Sequence, residues 1–261
     1  MADEWMRPTP YADVNAILRE LMANVQPILA DRFVGMYLYG SLAAGDFSPE
    51  TSDIDFLVVT DAGPDAKQVE ALRQMHARVG AGRSKWALEL EGSYIPRDAL
   101  RRYDPRLAQH LHIDRGSSRL NVLPHESDWV IQRHILREHG VVLAGPPIQA
   151  LIDPIEPEQI RKAARELLEG WWTQVAREGT RLRHTGYQAY AVLTMCRALY
   201  ALEHGALVSK PVAARWAQAT LDARWSDLIE RALTWRDGAV FDDFTGARDF
   251  IRYAVECSKK R

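Results

Sequence analysis

"LYGSLAAGDFSPETSDIDFLVV", residues 38–59, sets a Gly-Ser step ahead of an Asp-x-Asp pair, with apolar runs on both sides. The preceding "VGMYLYG" is a short apolar run stopped by Gly40, and "SDIDFLVVTD" ends in β-branched residues, so both suit strands. With Asp53 and Asp55 on a strand, positions i and i+2 share a face, while Ile54 and Phe56 turn toward the core. Two like charges about 5 Å apart repel by roughly 3 kcal/mol at an effective dielectric of 20. Solvent, arginines or a divalent cation can relieve that repulsion. Asp-x-Asp alone is weak, since chance gives about one such pair in a chain of this size, and a solvated strand edge would explain it.

The neighbours sharpen the reading. Gly40 lets a backbone approach closely, and exposed amides at the start of a helix through "LAAGDF" favour phosphate oxygens. Ser41 offers one more donor, or serves only as an N-cap. Further on, "KWALELEGSYI" alternates apolar and acidic positions as a half-buried strand does, putting Glu89 and Glu91 on one face. Beside the Asp strand, either acid can approach both aspartates. Three carboxylates suit Mg²⁺, a hard cation that prefers oxygen, and two such ions can hold a triphosphate. A carboxylate next to them can take a proton from a hydroxyl. The expected chemistry is nucleotidyl transfer from a nucleoside triphosphate.

Working outward, residues 10–31 and 64–79 carry apolar positions at helical spacing, and "DWVIQRHILREHG" reads as a helix closed by Gly140. The stretch from Pro96 to Ser127 is less regular. Proline-rich "VVLAGPPIQALIDPIEPEQ" holds the expected domain boundary, dividing the chain into 1–155 and 156–261. Everything after Glu156 reads as helix, with "YAVLTMCRALYALEHG" apolar on most sides and therefore central. The expected fold class is α+β: a mixed sheet flanked by helices, then an α-helical bundle.

Composition fits a soluble protein. Hydrophobic residues make up 47% of 261, charged residues 26%, and the formal charge of −2 argues against a general nucleic-acid binder. The closing Lys259, Lys260 and Arg261 are explained by a frayed terminus. Cys196 and Cys257 suggest neither a disulfide framework nor a zinc site. "MADEWMRPTP" has no leader pattern, and no apolar run approaches membrane-span length. A cytoplasmic monomer without membrane contact is expected.

The 38–59 stretch resembles the signature of the polymerase-beta-like nucleotidyltransferases, hG[GS] followed by Dh[DE]h. Within that superfamily most of the chain is similar to the streptomycin/spectinomycin adenylyltransferases, through "ALEL", "REHGVVLAGPP", "LIDPIEPEQI" and "VLTMCRALYALEHGALVSKPVAARWA". The resemblance implies an Mg²⁺-dependent enzyme that moves AMP from ATP to a hydroxyl of a small acceptor held in a cleft between the domains. It implies Asp53 and Asp55 as magnesium ligands, and Glu89 as third carboxylate, near the metal and acting as base, with Glu91 the alternative. Gly40 and Ser41 match the triphosphate turn, and Arg197 and Lys210 match basic residues that reach ATP from the helical domain. From the residues alone, Arg197 in so apolar a helix points to an anionic partner or a buried ion pair, and Lys210 is a surface lysine.

An aminoglycoside or aminocyclitol antibiotic is the best single expectation for the acceptor. One departure bears on it. The relatives hold an acid about ten positions before the arginine, to meet a drug amine. Here that position is Tyr187, and neither Asp nor Glu occurs between Glu178 and Glu203. The alternatives are another small acceptor, a protein or nucleic-acid end, or a non-catalytic nucleotide-binding module. "HLHID" offers His110, His112 and Asp114 at alternating spacing, which a surface strand or loop explains better than a metal does.

Overall fold

Near-continuous burial of apolar and aromatic residues makes Phe33–Leu38 (β1) and Ile54–Thr60 (β2) an antiparallel pair inside a mixed sheet. The computed structural model describes residues 7–45, 47–50, 52–236 and 239–260. Arg261, and the first six residues on which the leader expectation partly rests, lie outside the described residues. The remaining strands are Leu90–Pro96 (β3), Gln109–Ile113 (β4), Leu120–Pro124 (β5) and Val141–Ala144 (β6). Among the described residues the sheet order is β5-β4-β3-β2-β1-β6. Among the described residues β2 and β3 alone pair in parallel, with Asp55 opposite Glu91 and Phe56 opposite Gly92. A side chain at Gly92 would put its Cβ 2.4 Å from the Phe56 carbonyl oxygen, so glycine is required for these strands to lie this close.

One sheet face is apolar. Met36, Leu38, Phe56, Val58, Tyr94 and Ile113 pack beneath Ala12–Leu29 (α1) and Ala66–Gly80 (α3). Helix α3 begins where the helical spacing places it, on an Asp65–Gln68 capping box. Gly40–Ala44 (α2), Arg97–Arg101 (α4) and Asp128–His139 (α5) follow β1, β3 and β5. Arg133 of α5 is buried and donates from Nε to the Leu100 carbonyl of α4 at 2.7 Å.

Three local expectations need correction. The stretch from Pro96 to Ser127 contains the β4–β5 hairpin. "VVLA" pairs with β1 as β6, so part of the proline-rich segment belongs to the sheet. Most consequentially, "KWALELEGSYI" is not one strand. Lys85–Leu88 forms a 3₁₀ turn opened by Ser84, whose hydroxyl accepts from the Trp86 N–H, and the strand starts only at Leu90.

Residues through Pro154 form one compact unit and those from Ile155 a second. The second unit is helical: Pro157–Leu167 (α6), Thr173–Glu178 (α7), Thr185–His204 (α8), Lys210–Thr220 (α9), Ser226–Thr234 (α10) and Phe244–Ser258 (α11). Helix α8 packs on α6, α9, α10 and α11, and its Ala191, Val192, Met195 and Leu199 are buried. The central position expected from its all-round apolarity is observed. A π-helical turn at Leu168–Trp172 carries the chain from α6 into α7. Among the described residues no helix is long and apolar enough to cross a membrane.

Three buried histidines give the first unit an acid-sensitive interior. Burial lowers His76 to about 4, His110 to about 4 and His125 to about 2, with neighbouring positive charge adding at the latter two. All lie below the ordinary value of about 6.5, so below that pH the unfolded chain takes up protons that the folded chain refuses. Their contribution is complete above pH about 6.5 and declines as pH falls toward 4. Each histidine should remove about 1.4 kcal/mol per pH unit over that window. Denaturant titration at pH 7.5, 6, 5 and 4.5, followed by tryptophan fluorescence, should show this fall. A midpoint that stays constant down to pH 4.5 contradicts it.

Candidate active site

Strand β1 ends in a turn that only glycine fits. Gly40 has φ +64°, and a Cβ there would fall 1.8 Å from Oδ2 of Asp55. The glycine Cα thus lies directly against the second carboxylate of the Asp-x-Asp pair. Tyr39, one residue earlier, donates its backbone N–H to the Asp55 carbonyl at 3.2 Å and locks this contact to the sheet. Ser41 follows in α2, and its Oγ is buried without a hydrogen-bond partner within the protein. An unpaired buried hydroxyl is costly, and a ligand oxygen beside it would remove that cost.

Asp53 stands just before β2 rather than on it, and Asp55 is its second residue. Opposite Asp55 in the parallel register is Glu91, not Glu89. Glu89 occupies the corner between the 3₁₀ turn and β3, with φ −93° and ψ 2°. Its carbonyl accepts from the Ile54 N–H at 2.8 Å, and its carboxylate receives Arg115 Nε at 2.6 Å. The shared strand face expected for Glu89 and Glu91 is therefore absent. Residue 89 is non-extended, and its side chain is engaged by an arginine.

Glu91 has a different environment. Its carboxyl is pushed up to about 7, first by burial and then by the charges of Asp53 and Asp114, against a hydrogen bond from the Arg115 backbone N–H. The Tyr39 phenol is raised as well, chiefly by burial and then by Asp55, Glu91, Asp53 and Asp128. These four carboxylates thus lie within electrostatic reach of Tyr39. Asp128, the first residue of α5, is itself raised by burial and by Glu126.

Among the described residues no three Asp, Glu, His or Cys side chains converge as a ready-made metal cage. A protein-only set of three carboxylates, with Glu89 or with Glu91 as the third, is thus not preassembled among the described residues. Mg²⁺ does not require one, because it is commonly held by one or two carboxylates together with substrate phosphates and water. The adjacent Asp53 and Asp55, the Gly40 cradle and the unpaired Ser41 hydroxyl fit that mode.

In the helical unit, Arg197 lies half-buried on α8, two turns after Tyr190. Lys210 opens α9, and its Nζ lies 4.7 Å from the centre of the Tyr190 ring. Both basic residues therefore belong to one neighbourhood of α8. Tyr187 lies tilted against Tyr190 and Trp172, while Arg181 lies 4.7 Å from the Trp171 ring centre and 5.9 Å from that of Tyr187. Where the relatives are expected to hold an acid, this chain holds an aromatic cluster with a guanidinium on it.

Asp114 and Asp128 were not singled out as nucleotide-site residues from sequence. The signal for Asp114 was available in "HLHID", whose alternation puts His110, His112 and Asp114 on one strand face. For Asp128, an acid at a helix start is too common to mark a site.

Comparison with known proteins covers both units. Residues 150–261 match the family model described as aminoglycoside adenylyltransferase, C-terminal domain, and residues 23–98 match the nucleotidyltransferase domain. An aminoglycoside (3'') (9) adenylyltransferase of Shigella flexneri is 27% identical over 235 residues, 87% of each chain. A spectinomycin 9-adenylyltransferase of Campylobacter jejuni is 24% identical over 254 residues, 94% of this chain and 93% of that one. The solved spectinomycin adenyltransferase from Enterococcus faecialis, with ATP and spectinomycin, shares the fold. Its TM-score is 0.72 at 15% identity, covering 94% of this chain and 98% of that one.

Proposed function

We propose that this chain, whose residues 23–98 match the nucleotidyltransferase domain and 150–261 the aminoglycoside adenylyltransferase C-terminal domain, transfers AMP from ATP to a hydroxyl of an aminoglycoside or aminocyclitol antibiotic. Such a modification would inactivate the drug and confer resistance. The observation that carries this reading is the register of β2 on β3, which sets a half-buried carboxylate, Glu91, directly beside Asp55.

Asp53 and Asp55 would hold a divalent cation together with phosphate oxygens, and Gly40 and Ser41 would meet the triphosphate. Magnesium, when bound there, supplies charge neutralisation at the phosphates. Glu91, rather than Glu89, would accept the proton of the acceptor hydroxyl as its oxygen bonds to the α-phosphorus. The bond from the α-phosphorus to the bridging oxygen breaks, and pyrophosphate leaves. Burial suits Glu91 to this role, since a carboxylate held above its ordinary range is a stronger base near neutral pH. Glu89 would act one step removed, by engaging Arg115 beside the base. Arg197 and Lys210 would bind the triphosphate from the helical unit. A monomeric, cytoplasmic enzyme with two magnesium ions is the form we propose.

A different small acceptor is favoured by one observation, the Tyr187–Arg181–Trp171 cluster where an acid was expected. Pyrophosphate release with ATP, Mg²⁺ and a panel of aminoglycosides, spectinomycin and uncharged polyols separates the two readings. Release with an amine-bearing antibiotic supports the first. Release with the uncharged polyols alone replaces it with the second, and background rates throughout remove both.

A further inference from the structure

The proposed machinery is ordered across the sheet. Gly40 and Ser41 follow β1, Asp53 and Asp55 belong to the start of β2, and Glu91 is the second residue of β3. The next strand in that order is β4. A hydroxyl that reaches Glu91 from the side away from the metal ligands therefore meets what β4 presents on the same face.

That face is defined by register. Ser93 lies directly opposite His112. Side chains alternate along a strand, so Glu91 shares the Ser93 face, and Asp114, two residues after His112, continues it just past the end of β4. The Arg115 backbone N–H donates to the Glu91 carboxylate, which brings residues 114 and 115 against the base.

Burial of the two rings and the hydrogen bonds between them set the direction of this group. Ser93 Oγ lies 2.7 Å from His112 Nδ1 and 3.2 Å from His125 Nε2, and His112 Nε2 lies 3.4 Å from Asp114 Oδ1. The hydroxyl carries one proton, and burial keeps both rings neutral. A single arrangement satisfies every contact. His125 Nε2–H donates to Ser93, Ser93 donates to His112 Nδ1, and His112 Nε2–H donates to Asp114. His112 is 13% exposed and so held rigidly, whereas Asp114 is 56% exposed and open to a ligand. The chain thus aims a supported carboxylate at the solvent side of Glu91.

Resting on the adenylyl-transfer reading above, we infer that Asp114 is a specificity-determining residue that binds a protonated amine of the acceptor next to the hydroxyl activated by Glu91. The anion for a cationic acceptor then comes from the nucleotidyltransferase unit. The helical unit has Tyr187, not an acid, at the corresponding position.

The test is calorimetric titration of spectinomycin into the whole protein with Mg²⁺ and a non-hydrolysable ATP analogue. Asp114→Asn keeps the hydrogen bond from His112 and should keep the fold, checked by an unchanged thermal midpoint. It should weaken spectinomycin at least tenfold and leave the ATP analogue within twofold. Asp114→Glu, which restores the charge, should recover to within threefold of wild type. Three results each overturn the assignment: Asp114→Asn binding spectinomycin like wild type, losing the ATP analogue in parallel, or a wild type that does not bind spectinomycin. Pyrophosphate release in the same samples is a separate readout. Wild-type binding with the expected Asp114→Asn loss but no release would remove the transfer reading and leave the amine contact standing.

Discussion

Glu91→Gln is expected to lower AMP transfer by about 10²–10⁴-fold, the usual contribution of a general base. Affinity for ATP and Mg²⁺ should stay within a few-fold, because Asp53, Asp55 and the Gly40–Ser41 turn remain. Glu89→Gln should leave the rate within about threefold, since it weakens an ion pair to Arg115 and removes no group from the Asp55–Glu91 rung. The amide is isosteric with the acid and can still accept from the Arg115 N–H, so a loss of rate in Glu91→Gln reports lost proton acceptance rather than lost shape. Burst and steady-state measurement of pyrophosphate release, with ATP binding measured alongside, separates the two variants. The opposite pattern, an inactive Glu89→Gln and an active Glu91→Gln, would return the base to residue 89.

That pair of variants also marks where sequence stops being informative. Asp53 and Asp55 were legible because an apolar residue on either side of Asp55 forces it to one face, and Gly-Ser precedes it at strand-turn spacing. The central helix α8 was legible because it is apolar all round. In "ALELE", alternation puts Glu89 and Glu91 on the same face, so local pattern cannot choose between them. The choice is made by pairing with β2, a contact between segments 36 residues apart, and by the 3₁₀ turn that consumes Lys85–Leu88 before the strand begins. Strands β5 and β6 were missed for a related reason. They are five and four residues long, too short for a periodic signal, and exist because an established sheet edge was there to receive them.

Gly40→Ala should leave a folded protein with little activity. At φ +64° alanine is strained by about 1 kcal/mol, so stability should fall modestly, by a few degrees in thermal midpoint. The larger effect is local. A methyl group 1.8 Å from Asp55 Oδ2 cannot coexist with that carboxylate, and either the Gly40–Ser41 turn or the Asp55 side chain must move by more than 1 Å. Displacements of this size in a reacting constellation cost about 10²-fold in rate. Asp55 would bind the cation and lies opposite Glu91, so the displacement reaches both metal affinity and base geometry. Activity should therefore fall at least 10²-fold, with the Mg²⁺ concentration for half-maximal rate raised and the far-ultraviolet circular dichroism unchanged. Gly45→Ala is the control, because that glycine also has a positive φ, +78°, but its Cβ would meet nothing within 4 Å. It should show the same small loss of stability and keep its activity. If both variants lose activity equally, backbone strain in the turn is responsible and the contact with Asp55 is not.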